Sequence, residues 1–286
     1  MTVTEHSGLD SAERALFTET IRRAMSAATG QALDIALPEL GWPDLLDAAP
    51  ELVGPVMFRL LGETGAHAPL LLDVLGHAGA DPCALPFTGG HWVRWERHES
   101  GGDEQTTRSP GDTIDAELPL RRVPDGAVLT ARALSEGRRA LGWWLLGTGH
   151  AMLGLARAHA LERVQFGRPL ASFQAVRHRL AETLVALDGA EAALLVADEV
   201  ALDRVPGNPA SAALLAKAAA GHAALTASRH CQQVLGGIGF TAEHPHHRHV
   251  RRTLVLDGLL GSARDLTREA GAAIRASGTA ARIAHL

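Results

Sequence analysis

Two short runs in this 286-residue chain carry side chains suited to a flat, phosphorylated ligand. Arg163 is a permanent cation whose planar fork of N–H donors matches a pyrophosphate, and Phe166, three positions on, offers a ring to a flat heterocycle. Gly167 then lets the chain turn. About 70 residues later, Gln233 supplies an amide that both donates and accepts, and Gly236, Gly237 and Gly239 permit positive φ and close backbone approach. Each run also has a plain structural reading. Gly236-Gly237-Ile238-Gly239 can be a helix C-cap and turn, and Arg163 a solvated charge at a helix end.

Taken together, the runs resemble the acyl-CoA dehydrogenase family. The family's pattern Arg-x-x-Phe-Gly-x-Pro, continuing through Phe-Gln, is matched by Arg163, Phe166, Gly167, Pro169, Leu170, Phe173, Gln174, Val176, His178, Leu180 and Ala181. Its later pattern Gln-x-x-Gly-Gly-x-Gly is matched by Gln233, Gly236, Gly237, Gly239 and Phe240, then Glu243 and Pro245. The resemblance covers most of residues 135–270, with a weaker echo in Gly41-Trp42 and Leu75-Gly76-His77-Ala78-Gly79. It implies bound FAD, whose adenosine-pyrophosphate end Arg163, Phe166, Gln233, Gly236 and Gly237 would hold across a subunit boundary. It also implies α,β-desaturation of an acyl-CoA: a carboxylate removes the α-proton while the β-hydride passes to the flavin. An electron-transfer flavoprotein or similar acceptor would then take the electrons.

The base is where this chain departs from the family pattern. The stretch corresponding to the family's Glu-Gly-Thr segment reads Leu256-Asp257-Gly258-Leu259-Leu260-Gly261, so Asp257 is one candidate, a methylene shorter than glutamate and followed by apolar residues. Some members place the glutamate at the start of the first bundle helix, where Glu136 lies. Glu136 equally suits a helix's first turn, with Ser135 as N-cap.

The elements that must position these residues divide the chain into three, in a mainly α fold. Residues 1–84 read as an N-terminal helical domain, Ala- and Leu-rich segments broken at Pro38, Gly41-Trp42-Pro43, Pro50 and Pro55. Residues 85–130 are poor in helix formers, carry Gly101-Gly102, Pro110-Gly111 and Pro124-Asp125-Gly126, and contain the alternating strand His91 to Arg97. The resemblance implies a β-barrel here. Eight strands of about 5–6 residues need about 40–48 residues before any turn, and this segment has 46 in all. A truncated β segment follows, with Trp92 and Trp95 covering the reduced sheet. Residues 131–286 read as a C-terminal four-helix bundle, its helices at 135–162, 173–204, 210–235 and 245–274.

Composition narrows the setting. A net charge of −5 gives no global pull toward nucleic acid or an anionic membrane. No run approaches the roughly 20 apolar residues of a membrane span, and Met1 to Ala12 lacks the apolar core of a signal peptide. Cys83 and Cys231 form no disulfide framework, which points to the reducing cytoplasm. His244, His246, His247 and His249 lack the cysteine or carboxylate pair that would complete a metal shell, so no metal is expected. Arg248, Arg251 and Arg252 read as a solvated face, with a phosphate contact as the alternative.

A kept clasp beside a reduced barrel and a doubtful base implies the smaller subunit of a heteromeric, α2β2 acyl-CoA dehydrogenase of the actinobacterial steroid-catabolism type. Its second acyl-CoA dehydrogenase-like subunit would supply barrel, base and most of the acyl-CoA pocket. Two alternatives stay open: a self-sufficient homo-oligomeric flavoenzyme using Asp257 or Glu136, and a non-catalytic scaffold of the same fold.

Overall fold

A computed structural model describes residues 11–81, 84–97 and 115–278. Cys83, Gly101-Gly102, Pro110-Gly111 and residues 1–10 lie outside the described residues. The first layer holds α1 (Ser11–Ala27), α2 (Gln31–Ala36), α3 (Trp42–Ala48), α4 (Pro50–Leu52), α5 (Arg59–Thr64) and α6 (Leu70–His77). The prolines start helices: Pro43 and Pro50 sit in the first turns of α3 and α4, where a missing N–H costs nothing. Between α4 and α5 the stretch Val53–Phe58 is a π-helix, and Gly54 there makes room for the Trp143 indole.

The middle segment is an open antiparallel sheet of β1 (Leu85–Phe87), β2 (His91–Trp95) and β3 (Leu120–Val123), in the order β1-β2-β3. The register pairs Leu85 with Val93 and Trp92 with Val123. Three short strands cannot close, so the described sheet is a remnant packed on the helices. Trp95 is the buried cover, its ring 6.1 Å from that of Trp144.

The remaining helices are α7 (Ala131–Glu162), α8 (Gln174–Ala201), α9 (Pro209–Leu235), α10 (His246–Gly258) and α11 (Ala263–Ser277). Helix α7, about 48 Å long at 1.5 Å per residue, runs through the centre. It crosses α5 backbone to backbone: a β-carbon on either Gly62 or Gly147 would strike the other helix's main chain. Buried Leu, Trp and Ala of α7 and α9 join the N-terminal helices in one continuous core. No described helix is long and apolar enough to cross a membrane.

Three expectations are corrected. Helix α7 starts at Ala131, with Thr130 as N-cap accepting from the Ala133 N–H at 3.1 Å; Ser135 instead lies inside the helix, its hydroxyl donating to the Ala131 carbonyl at 2.8 Å. Glu136 therefore lies in the second turn, beyond the orphan N–H groups that favour an acid. The single fourth helix is two, because Leu260 and Gly261 adopt positive φ (56° and 102°) and Ser262 caps α11. Finally, the arginines are not a solvated face. Arg252 is buried, donating to Asp115 at 2.5 Å, Glu117 at 3.2 Å and the Ala66 carbonyl at 3.2 Å, while Arg248 pairs with Glu117 at 2.8 Å; Arg251 alone of the three is exposed without such a pairing. This cluster ties the N-terminal layer, the segment before β3 and α10 together. Burial, with Arg252 nearby, holds the His67 and His249 imidazoles down at about 4, so they stay neutral beside that cation.

Candidate functional site

The predicted ligand-holding residues collect at one end of the bundle. Helix α7 ends there, α8 starts there and α9 ends there. Their ends are sealed by Ala156 and Ala160 of α7 against Ala227, Cys231 and Val234 of α9, with Val176 and Leu180 of α8 alongside. Above this seal the chain makes a two-residue hairpin between β4 (Val164–Gln165) and β5 (Arg168–Pro169). Its tip is Phe166-Gly167, both at positive φ (53° and 77°), as a type I′ turn requires. A bulky residue there is an outlier. The strain holds the Phe166 ring outward, 90% exposed and edge-on to Phe173 at 6.2 Å.

Arg163 is the C-cap of α7; its N–H donates to the His159 carbonyl at 2.8 Å and its carbonyl accepts from Leu170 at 2.9 Å. Its backbone is thus fixed while its side chain is exposed. Gln233, in the last turn of α9, is exposed as well. Gly236 is the C-cap at φ 63°, and a 3-10 turn, Gly236–Phe240, follows. The C-cap reading of these glycines therefore holds, and it coexists with an open surface: nothing lies within 4 Å of a β-carbon on Gly236 or Gly237, so the backbone there is approachable. Phe240, 77% exposed, and Ile238 edge the same turn. A cation, an amide, bare backbone and unburied rings are together fit to hold a dinucleotide's pyrophosphate and heterocycle.

The predicted carboxylates lie elsewhere and are engaged in structural contacts. The Asp257 carboxylate accepts from the Ala263 N–H at 2.9 Å, capping α11, and packs on Gly221 of α9. Its neighbour Gly258 lies under the Phe87 ring, and the Leu260 N–H donates to the Pro86 carbonyl at 2.9 Å, so β1 sits directly on the turn. Glu136 is ion-paired to Arg139, which also donates to Asp198 at 2.6 Å; Asp198 in turn accepts from Trp143 Nε1 at 2.8 Å. Beside Glu136, Gly137 is covered by Leu71 and Leu75 of α6 and by Leu260, and the cleft that Glu136 lines with Val74, His77 and Asp198 is only about 40 Å³, too small for an acyl thioester.

Sequence reasoning missed two buried cations at the α10–α11 turn. Lys217 is fully buried on α9, and its ammonium donates to the carbonyls of Asp257 (3.0 Å) and Gly261 (2.6 Å). Burial pushes that ammonium down to about 7. Arg138 donates to the Leu260 carbonyl at 3.1 Å and lines two clefts, of about 400 Å³ beside Phe87 and about 610 Å³ between α7, α9 and α11. A signal for Lys217 was available: it is the chain's one lysine, set in an alanine run, among 27 Lys and Arg residues.

Residues 125–272 match the family described as "Acyl-CoA dehydrogenase, C-terminal domain". Among curated relatives, the acyl-CoA dehydrogenase IpdE2 of Mycobacterium tuberculosis is 33% identical over 221 residues, which cover 73% of this chain and 63% of that protein. The chain spans less than two thirds of the length of the curated relatives it matches. Among solved structures, the Tcur3481–Tcur3483 steroid ACAD superposes with a TM-score of 0.65 at 20% identity, over 93% of this chain and 99% of the other. The ChsE4–ChsE5 complex from Mycobacterium tuberculosis does so with a TM-score of 0.63 at 19% identity, over 94% and 98%. At these identities the two structures speak for the fold.

Proposed function

The chain belongs to the acyl-CoA dehydrogenase family, and on that premise we propose that it is one subunit of a heteromeric, FAD-dependent acyl-CoA dehydrogenase of the cytoplasm. Arg163, Phe166, Gln233, Gly236 and Gly237 hold the adenosine-pyrophosphate end of FAD. A second acyl-CoA dehydrogenase-like subunit supplies the base and the acyl pocket. When bound, FAD provides the acceptor for the hydride removed from the substrate's β-carbon, and an electron-transfer flavoprotein or similar acceptor takes the electrons onward.

One observation carries this reading: the ligand-holding residues are exposed, while both candidate bases are committed to structural contacts. Asp257 caps α11 beside Gly258, which Phe87 covers, and Glu136 pairs with Arg139 at a cleft of only about 40 Å³. The exposed Phe166 and Phe240 suit a surface that a second subunit covers. What this chain does in the reaction is therefore to bind and orient: Arg163 offers charge-assisted donors to phosphate, and the rings shield the site from water. The names of the neighbouring folds, a steroid ACAD and a two-protein complex, support a bulky, steroid-type acyl-CoA as substrate and an α2β2 assembly.

The test is Arg163→Ala in the co-purified heteromer. Losing charge-assisted hydrogen bonds of about 1.5–3 kcal/mol should weaken FAD retention tenfold or more, with the helical circular dichroism unchanged. Unchanged flavin content with intact activity would remove Arg163 from the clasp.

A further inference from the structure

A cleft of about 120 Å³ opens where the N-terminal layer meets the sheet, and it shares no residue with the flavin clasp or with the candidate bases. His67, 7% exposed, is its buried polar group. Thr29 fixes the ring: its Oγ1 accepts from the His67 backbone N–H at 3.0 Å and stands 2.9 Å from Nδ1. That oxygen is already accepting, so the hydroxyl's one proton goes to Nδ1. The imidazole, held neutral by burial and by Arg252, then carries its own proton on Nε2. Nε2 has no hydrogen-bond partner among the described residues. Gly30, on the cleft wall, leaves room beside it, since a β-carbon there would sit 3.2 Å from Nε2. A buried donor that faces open space without an acceptor is an arrangement that a ligand relieves.

The rest of the lining narrows the ligand's chemistry. Trp95, Pro69 and Pro119 contribute an indole and two pyrrolidine rings, walls suited to a flat molecule. Asp34, Glu96 and Glu117 also line the cleft, and with Asp73 and Asp115 they make five carboxylates on four arginines, Arg97, Arg121, Arg248 and Arg252. The balance is negative, which disfavours an anion. The carboxylates also keep acceptor capacity: Asp34 takes two N–H bonds from Arg97, of the roughly four a carboxylate can accept. A metal ion is not the occupant, because no three His, Cys, Asp or Glu side chains among the described residues could hold one, and an Nε2 that carries a proton cannot ligate. What fits is a ligand with one carbonyl for His67 and N–H groups for a carboxylate, all in one plane. We infer that the cleft binds a small uncharged amide, a primary carboxamide or a ring lactam, with its C=O on His67 Nε2–H and its N–H on a lining carboxylate.

This goes beyond the flavin reading and does not rest on it. The test is proton–nitrogen correlation spectroscopy of the imidazole rings in the full chain at pH 7. His67→Phe identifies the His67 signals by their loss, and Thr29→Val, which removes the hydroxyl from Nδ1, marks them independently if the first variant does not fold. Wild-type His67 should show a bare Nδ1 and a protonated Nε2. Acetamide should shift the Nε2 signal saturably, with half-saturation at roughly 10 mM, the scale for a ligand of four heavy atoms. Acetate, the same shape with a negative charge, should bind at least tenfold more weakly, and Thr29→Val, which frees the tautomer, should weaken acetamide severalfold. A proton on Nδ1, a wild-type signal that acetamide leaves unmoved, or acetate binding as tightly as acetamide would each overturn the inference. Flavin content of the co-purified heteromer should not change across the acetamide series, so the two readings fail separately.

Discussion

Lys217 shows most directly how a single residue sets the chemistry at the α10–α11 turn. Its ammonium satisfies the Asp257 carbonyl, which the end of α10 leaves unpaired, and the Gly261 carbonyl of the turn that follows, at the cost of desolvation that lowers its pKa from 10.5 to about 7. The unfolded chain then binds more protons than the folded one between those values, so stability rises with pH through that window, by up to about 1.4 kcal/mol per pH unit. Burial pushes the Cys231 thiol the other way, up to about 12, so above about pH 9 the unfolded chain loses that proton first and the thiol's contribution to stability falls. With no tyrosine and no second lysine, the urea midpoint should climb from pH 7 to about 9, level off while the two contributions oppose each other, and decline above about 10.5. Lys217→Met should flatten the climb and cost roughly 1–3 kcal/mol for each carbonyl stranded; a flat wild-type profile would refute this account of Lys217. At the same scale, Asp257→Asn in the heteromer should leave turnover within about twofold. A loss of a thousandfold, the size expected for a general base, would return the base to this chain.

At the scale of elements, the turn between α10 and α11 holds the chain's most informative departure from its sequence pattern. Residues 245–274 read as one helix because the apolar spacing continues across the break. The actual stop was written in Gly261-Ser262 and in Asp265, three residues after the cap: Ser262 Oγ accepts from the Asp265 N–H at 3.2 Å, and its hydroxyl donates to the Asp265 carboxylate at 2.7 Å. Ser262→Ala should lower stability by about 1 kcal/mol, checked by urea unfolding. The start of α7 was displaced for a similar reason, since Thr130 caps it and Ser135 only looked like a cap. Arg252 was illegible as a buried residue because its partners Asp115 and Glu117 are more than 130 positions away. The turns at Gly167 and at 236–239 were legible because φ and turn chemistry are local.

At the scale of the whole molecule, the fold keeps one continuous core from the N-terminal helices through the bundle, while its sheet stays open at three described strands. The strand remnant covers the turn at Gly258 and Leu259. The arithmetic of residue numbers in the middle segment anticipated the open sheet; it could not show that Phe87 would fill the space, because that contact depends on packing. What this leaves exposed is the end carrying Arg163, Phe166 and Gln233, the half-site proposed above. The central claim is therefore tested most directly by the visible absorption spectrum of this chain, purified alone and then with its second subunit, read between roughly 370 and 450 nm, where the cofactor itself absorbs. A colourless chain that gains flavin in the heteromer is the predicted result. Stoichiometric flavin on the chain alone would contradict the half-site account and make it a self-sufficient flavoprotein.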